Sequence, residues 1–200
     1  MREILPGLFH WTAVHPEIQI EVSSYYVVQA ATLLDPLIPA EGLDWFRDRE
    51  PPRHVILTNR LHYRHSREFA AAFGCEIRTN AVGIDHFSPD QRVHGFRIGQ
   101  RLPGDIETHE VGALCPDETA LRIPMEGGVL AIADGVIRHG DGPLTFVPDV
   151  LLGDDPEAIK QALKAAYARL LELEFDHILF AHGDPMIGGG SSTLRGFVER

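Results

Sequence analysis

Eleven histidines in 200 residues are the part of this chain most able to do chemistry. Imidazole titrates near neutrality and is the commonest protein ligand for transition metals, so what matters is which histidines stand among carboxylates and amides. Three short segments stand out. Asn59-Arg60-Leu61-His62-Tyr63-Arg64-His65 concentrates imidazoles, guanidinium groups and an amide, while Ala133-Asp134-Gly135 and Ala181-His182-Gly183-Asp184 each place one metal-competent side chain beside glycine. His62 and His65 are three residues apart near a helix start and can share a face. Arginine forks match carboxylates and phosphates, so Arg60 and Arg64 suit an anionic or carbonyl-bearing ligand. Cys115 lacks the neighbouring base or positive charge that activates a thiol and reads as an inert small residue. Gly188-Gly189-Gly190-Ser191-Ser192 lacks the spacing and lysine of a phosphate loop and reads as a turn.

These residues need elements to position them, and fourteen prolines and nineteen glycines cut the chain into short ones. Tyr25–Val28 and Thr32–Leu34 are β-rich arms of a hairpin leading into the turn signal Asp35-Pro36. A short helix is predicted within Ala40–Arg49, stopped by Pro51-Pro52, and a buried strand over His54–Thr58. Ser66–Phe73 reads as an alanine-rich helix, with Ser66 as cap and Gly74 at its C-terminal end. Strands are predicted at 106–110, 119–123 and 128–133, with Gly127-Gly128 turning the last hairpin, and Val136-Ile137 continues after a break. Asp154 and Asp155 offer a cap and Pro156 a first turn for a helix running to about Leu173. Its stripe Ile159, Leu163, Ala166, Leu170 and Leu171 is core packing. Ile178–Phe180 is a strand that delivers His182, and a last helix starts near Ser192. Two blocks of antiparallel strands followed by strand–helix alternation predict two sheets face to face with helices outside, an α/β (α+β) four-layer αββα sandwich, spanning residues 1–200 as one domain.

Composition narrows the partners. A formal charge of −11, from 29 acidic and 18 basic residues, argues against nucleic acid or an anionic membrane surface. No apolar run is long enough to span a bilayer and no secretory leader is evident, so a cytoplasmic protein is expected. Cys75 and Cys115 are too few for a disulfide framework. A small molecule, and a second copy of the chain in a homodimer, are the partners left open.

The order of features resembles the metallo-β-lactamase fold superfamily over nearly the whole chain. Pro6-Gly7-Leu8-Phe9 is similar to that family's opening strand, Ser24-Tyr25 with Leu34-Asp35 to its second hairpin, and Ile56-Leu57-Thr58 to the strand before its metal loop. Ala133-Asp134 resembles its Gly-Asp motif and Ala181-His182-Gly183 its terminal Gly-His-Gly. The resemblance implies one or two zinc ions held by a T-H-x-H-x-D-H loop, a further histidine, a bridging aspartate and a last histidine, which together make hydroxide available near neutral pH.

The ligand positions depart from that pattern. Aligned without gaps, they fall on Asn59, Leu61, Tyr63 and Arg64, and the third-motif histidine becomes Leu114 in Gly112–Glu118. Sliding the loop by one residue recovers His62 and His65 but leaves Arg64 in place of the aspartate, and His109 lies inside the preceding strand. Only Asp134 and His182 keep their places, fewer than the three protein ligands of catalytic zinc. Placed on the fold that the resemblance implies, the sequence reading is therefore a degenerate metal site with no cofactor, a residual pocket in which Asn59, Arg60, His62, Arg64, Asp134 and His182 bind a small anionic or carbonyl-bearing ligand, and Arg64 or Arg60 paired with Asp134 in place of the ion. The alternative is an atypical single-metal hydrolase of esters or thioesters, with one zinc, iron or manganese ion on His62, His65, Asp134 and His182.

Overall fold

The computed structural model describes residues 1–200. The first sheet contains β1 (Arg2–Leu5), β2 (Leu8–Val14), β3 (Glu21–Val27) and β4 (Thr32–Leu34), all antiparallel neighbours. It continues, with α1 (Asp44–Arg47) and α2 (Ser66–Phe73) as crossovers, through β5 (His54–Ile56), β6 (Glu76–Asn80) and β7 (Val93–Phe96), each parallel to the strand before it. The second sheet has β8 (Arg101–Leu102), β9 (Ile106–Glu110), β10 (Thr119–Ile123) and β11 (Val129–Ile132) in antiparallel succession. A small ribbon of β12 (Val136–Arg138) and β13 (Leu144–Phe146) follows, then α3 (Pro156–Leu170), and then β14 (His177–Phe180), which lies parallel to β11 before α4 (Gly190–Val198).

Alternation along the strands builds the layers, because successive side chains of a strand face opposite sides. Val129 and Ala131 of β11 point into the core between the sheets, with Leu8, Tyr25, Val27, Leu34 and Ile56 of the first sheet and Leu121, Ile123 and Leu179 of the second. Leu130 and Ile132 point the other way, against Leu163, Ala166, Tyr167 and Leu170 of α3 and Leu194 and Phe197 of α4. On the outer face of the first sheet, Tyr26, Leu33, Val55 and Ile77 pack beneath Phe46 of α1 and Phe69 of α2. The result is the four-layer αββα sandwich. Phe46 is fully buried among the rings of Trp11, Tyr26, Trp45, Phe69 and Phe73, a burial that contributes about 1.5–3 kcal/mol.

Several boundaries differ from the sequence expectation. The helix expected over Ala40–Arg49 contracts to Asp44–Arg47 because Gly42 turns the chain with φ +74° just before it. Strand β5 stops at Ile56, since the Thr58 amide leaves the ladder to bond the Asp35 carboxylate at 2.8 Å. His65, and not Ser66, occupies the cap position of α2, and the Ser66 hydroxyl is buried without a partner. The parallel pairs β5–β6 and β6–β7 have no counterpart in the expected strands: Glu-Ile-Arg-Thr-Asn is too polar to read as buried, and Arg78 pairs with Glu76 at its edge. No helix is long and apolar enough to cross a membrane.

Candidate metal centre

Strands β11 and β14 run side by side, with Ile132 in register with Phe180. Two residues beyond each lie Asp134 and His182, so the parallel ladder brings the two side chains together at the same sheet end. His182 Nε2 stands 3.1 Å from Asp134 Oδ1. On the facing sheet, β5 gives way at Thr58-Asn59 to one 3₁₀ turn, Arg60–His62, in which the Asn59 side chain accepts the Leu61 amide at 2.9 Å. That turn sends adjacent side chains in opposite directions. Leu61 is 61% exposed whereas His62 is 4% exposed and places Nε2 3.1 Å from Asp134 Oδ1.

Each member of this cluster is held from behind. His62 Nδ1 donates to Asp35 Oδ2 at 3.0 Å, and Thr58 Oγ1 donates to the same oxygen at 2.5 Å. Asn59 Nδ2 donates to Asp134 Oδ2 at 2.8 Å. Burial alone works against charge on His62, but the Asp134 and Asp35 carboxylates on its two sides outweigh burial and raise the imidazole to about 9. Burial likewise disfavours the Asp134 carboxylate, yet the His62 and His182 imidazoles hold it well below the usual carboxylate range. Deeper still, Glu118 accepts the Gly135 amide at 2.9 Å, and burial pushes its carboxyl up to about 7.

His62, Asp134 and His182 thus offer ligand atoms within 4.8 Å of one another. Tetrahedral zinc with bonds of about 2.0–2.1 Å sets its ligand atoms about 3.3 Å apart, close to the 3.1 Å separations between Asp134 Oδ1 and both imidazoles. The Asp35–His62 hydrogen bond is the carboxylate–histidine support that metal-ligating imidazoles ordinarily have. The donor set therefore fits one divalent ion, and the expectation of no cofactor is corrected by it. His62 is the third donor that the gap-free alignment lacked, brought in by the one-residue slide that the 3₁₀ turn performs.

The other expected site residues divide. Asn59 joins the cluster. His65 does not: its Nδ1 accepts the Ile38 amide at 2.9 Å. The expected pairing of Arg64 or Arg60 with Asp134 is also corrected. Arg60 gives its backbone N–H, at 2.5 Å, and its Nη1 to the buried Asp117 carboxylate, and Arg64 gives Nη1 to the Ser23 and Asp35 carbonyls at 2.7 and 2.6 Å. Asp134 has no need of either, because two imidazoles and an amide already surround it. His109 faces Glu107 on β9, 3.6 Å away. Burial pushes the Cys115 thiol up to about 11, which matches an inert residue. The Gly188 and Gly189 amides bond His177 and Asp176, so that glycine run is a closed turn. Sequence reasoning missed Asp35 and Thr58, which it took as a turn signal and a strand residue. The available hint was a carboxylate immediately after a strand whose parallel neighbour leads into the histidine loop.

No protein-family model matches the sequence, and no similar curated protein was found. Solved structures do resemble the fold. A metallo-β-lactamase from Pontibacter korlensis superposes with a TM-score of 0.70 at 14% identity, covering 99% of this chain and 96% of that one. The protein TTHA1623 in a di-iron-bound form gives 0.64 at 18%, covering 88% and 94%. Rubredoxin oxygen:oxidoreductase from Desulfovibrio gigas gives 0.69 at 15%, covering 99% of this chain, which spans 60% of that longer one. These likenesses establish that the chain has the metallo-β-lactamase fold.

Proposed function

We propose that this protein is a single-metal hydrolase that acts on a small ester or thioester carrying an anionic or carbonyl group. The observation that carries the reading is the convergence of His62, Asp134 and His182 at one sheet end, with Asp35 behind His62. One zinc, iron or manganese ion held by these three would supply a Lewis acid and a bound water ionised near neutral pH, with a coordination position left open. The di-iron form of TTHA1623 supports metal binding on this fold.

The chain's own residues prepare that site. Asp35 accepts the hydrogen bond of His62 Nδ1–H, so Nε2 is the nitrogen that would give up its proton to a bound ion. Asn59 ties down Asp134 Oδ2 and keeps Oδ1 toward both imidazoles. Arg60, anchored on Asp117, keeps its side chain 21% exposed, and its remaining donors suit a substrate carboxylate or carbonyl oxygen. Two features favour one ion over two: Arg64 places a permanent cation close to Asp35 and Asp134, and the loop supplies one inward histidine.

Metal analysis of protein purified without chelator tests the proposal. One equivalent of ion per chain is expected, absent from Asp134→Ala, together with cleavage of p-nitrophenyl acetate that chelation abolishes and the metal restores. Wild-type protein without metal, or loaded protein inert toward esters and thioesters, would refute it.

A further inference from the structure

Arg64 has an unusual position for a charged residue. Its backbone is left-handed, with φ +44°, a region that ordinarily favours glycine. Its guanidinium bonds no carboxylate. Instead, Nη1 donates to two carbonyls on different segments: Ser23 in β3 at 2.7 Å and Asp35 just after β4 at 2.6 Å. Nε is buried without a partner.

Both acceptor residues lead to a metal-site histidine. Ser23 grips the chain on either side of His182, since its N–H donates to the Ala181 carbonyl and its Oγ to the Gly183 carbonyl, each at 2.9 Å. His10 Nε2 braces that hydroxyl at 3.0 Å. The Asp35 carbonyl also accepts Ser24 Oγ at 2.9 Å, while the carboxylate of the same residue holds His62 Nδ1. A single guanidinium nitrogen therefore joins the segment that orients His182 to the residue that orients His62. Hydrogen bonds from a charged donor are about twice as strong as neutral ones, and one planar Nη aims its two hydrogens in fixed directions.

We infer that Arg64 is a positioning residue that sets the separation of His62 and His182 by clamping β3 to the turn after β4. This rests on the single-metal reading of the site. A neutral side chain there would remove the charged donor that the two carbonyls share, leaving the Asp35 carbonyl only Ser24 Oγ, and free the two histidine supports to move independently. Lysine would keep the charge but not the two-pronged geometry.

The test measures zinc affinity by chelator competition on wild type, Arg64→Met, Arg64→Lys and Ser23→Ala, alongside the cobalt absorption spectrum, which reports ligand geometry. Outer partners of metal ligands ordinarily control about 10–100-fold in affinity. Arg64→Met is expected to fall in that range with an altered cobalt spectrum, Arg64→Lys to recover part of the loss, and Ser23→Ala to lose less. If Arg64→Met does not fold, the other two variants carry the test, and wild-type affinity in both overturns the inference. Long-range ¹H–¹⁵N spectra of the metal-free protein separate it from the parent proposal. The His182 Nε2 shift, which reads its bond to Asp134, is expected to move in Arg64→Lys, and an unmoved shift overturns the clamp whatever the metal result. Failure of wild type to bind zinc, cobalt, iron or manganese would instead remove the proposed function.

Discussion

The three metal-competent side chains reach the site by two different routes. Asp134 and His182 extend from adjacent parallel strands whose register runs unbroken from Val129 with His177 to Ile132 with Phe180. His62 stands on a 3₁₀ turn beyond the end of β5, held by the side chains of Asp35, Thr58 and Asn59. A ladder of backbone hydrogen bonds brings Asp134 and His182 to the same sheet end, with Ser23 bracing the chain around His182. A turn needs specific side chains, so the His62 side is where single substitutions should tune the site, and the strand side is where they should abolish it.

The largest effect is expected from the strand side. Asp134→Ala removes the oxygen that both imidazoles face, and stoichiometric metal should disappear from elemental analysis while circular dichroism keeps the β-rich signal. Retained metal would mean that the turn, and not the strand ends, anchors the ion. The next effect is on stability. His10 braces Ser23 against Gly183, and burial lowers its imidazole to about 4 from an ordinary 6.5. A folded-state value below the unfolded one means that stability is intact above pH 6.5 and lost as pH falls toward 4, by about 3 kcal/mol in all. Urea unfolding across that window should show this loss in wild type and a flatter profile in His10→Gln.

On the turn side, Asp35→Asn keeps a hydrogen-bond acceptor but removes the charge behind His62. Zinc affinity should fall by about 10–100-fold with the ion still bindable at higher concentration. An unchanged affinity would show that Thr58 and Asn59 suffice to hold the turn. The smallest effect belongs to Leu61, the residue that a gap-free alignment puts at a ligand position but the turn faces outward. Leu61→Ala should leave metal content unchanged and stability within about 0.5 kcal/mol, as for other exposed positions, and any loss of metal would show that the turn presents a different face.

Much of the framework was legible because it rests on local chemistry. Gly127 and Gly128 lie in the turn between β10 and β11 as expected, with φ of +74° and +71°, but the connection runs over five residues, 124–128, because Ile123 pairs with Val129; a Cβ on Gly128 would lie 2.3 Å from the Glu174 carbonyl oxygen. Asp155 caps α3 by accepting the Ala158 amide at 3.0 Å, with Pro156 next, as those residue types predict. The two blocks of antiparallel strands, each followed by strand–helix alternation, pointed to stacked layers, and the two large sheets are found. What failed was partner assignment. Arg60 and Arg64 were expected on Asp134 because opposite charges attract, yet both were taken by acceptors elsewhere, Asp117 and two backbone carbonyls. Long side chains choose among all acceptors in reach, and that set is defined only after the sheets pack.

The sequence by itself determined most of the strands and helices, though not β6 and β7, the order that resembles a metallo-β-lactamase fold, and the presence of Asp134 and His182 at strand ends. These follow from short-range periodicity, turn chemistry and motif order. Only the tertiary structure decided that His62, and not Leu61 or His65, completes the cluster, and that Asp35, 27 residues earlier, supports it. A one-residue choice in a 3₁₀ turn is settled by which side chain finds a buried carboxylate waiting, and that carboxylate arrives through the parallel pairing of β4 with β5.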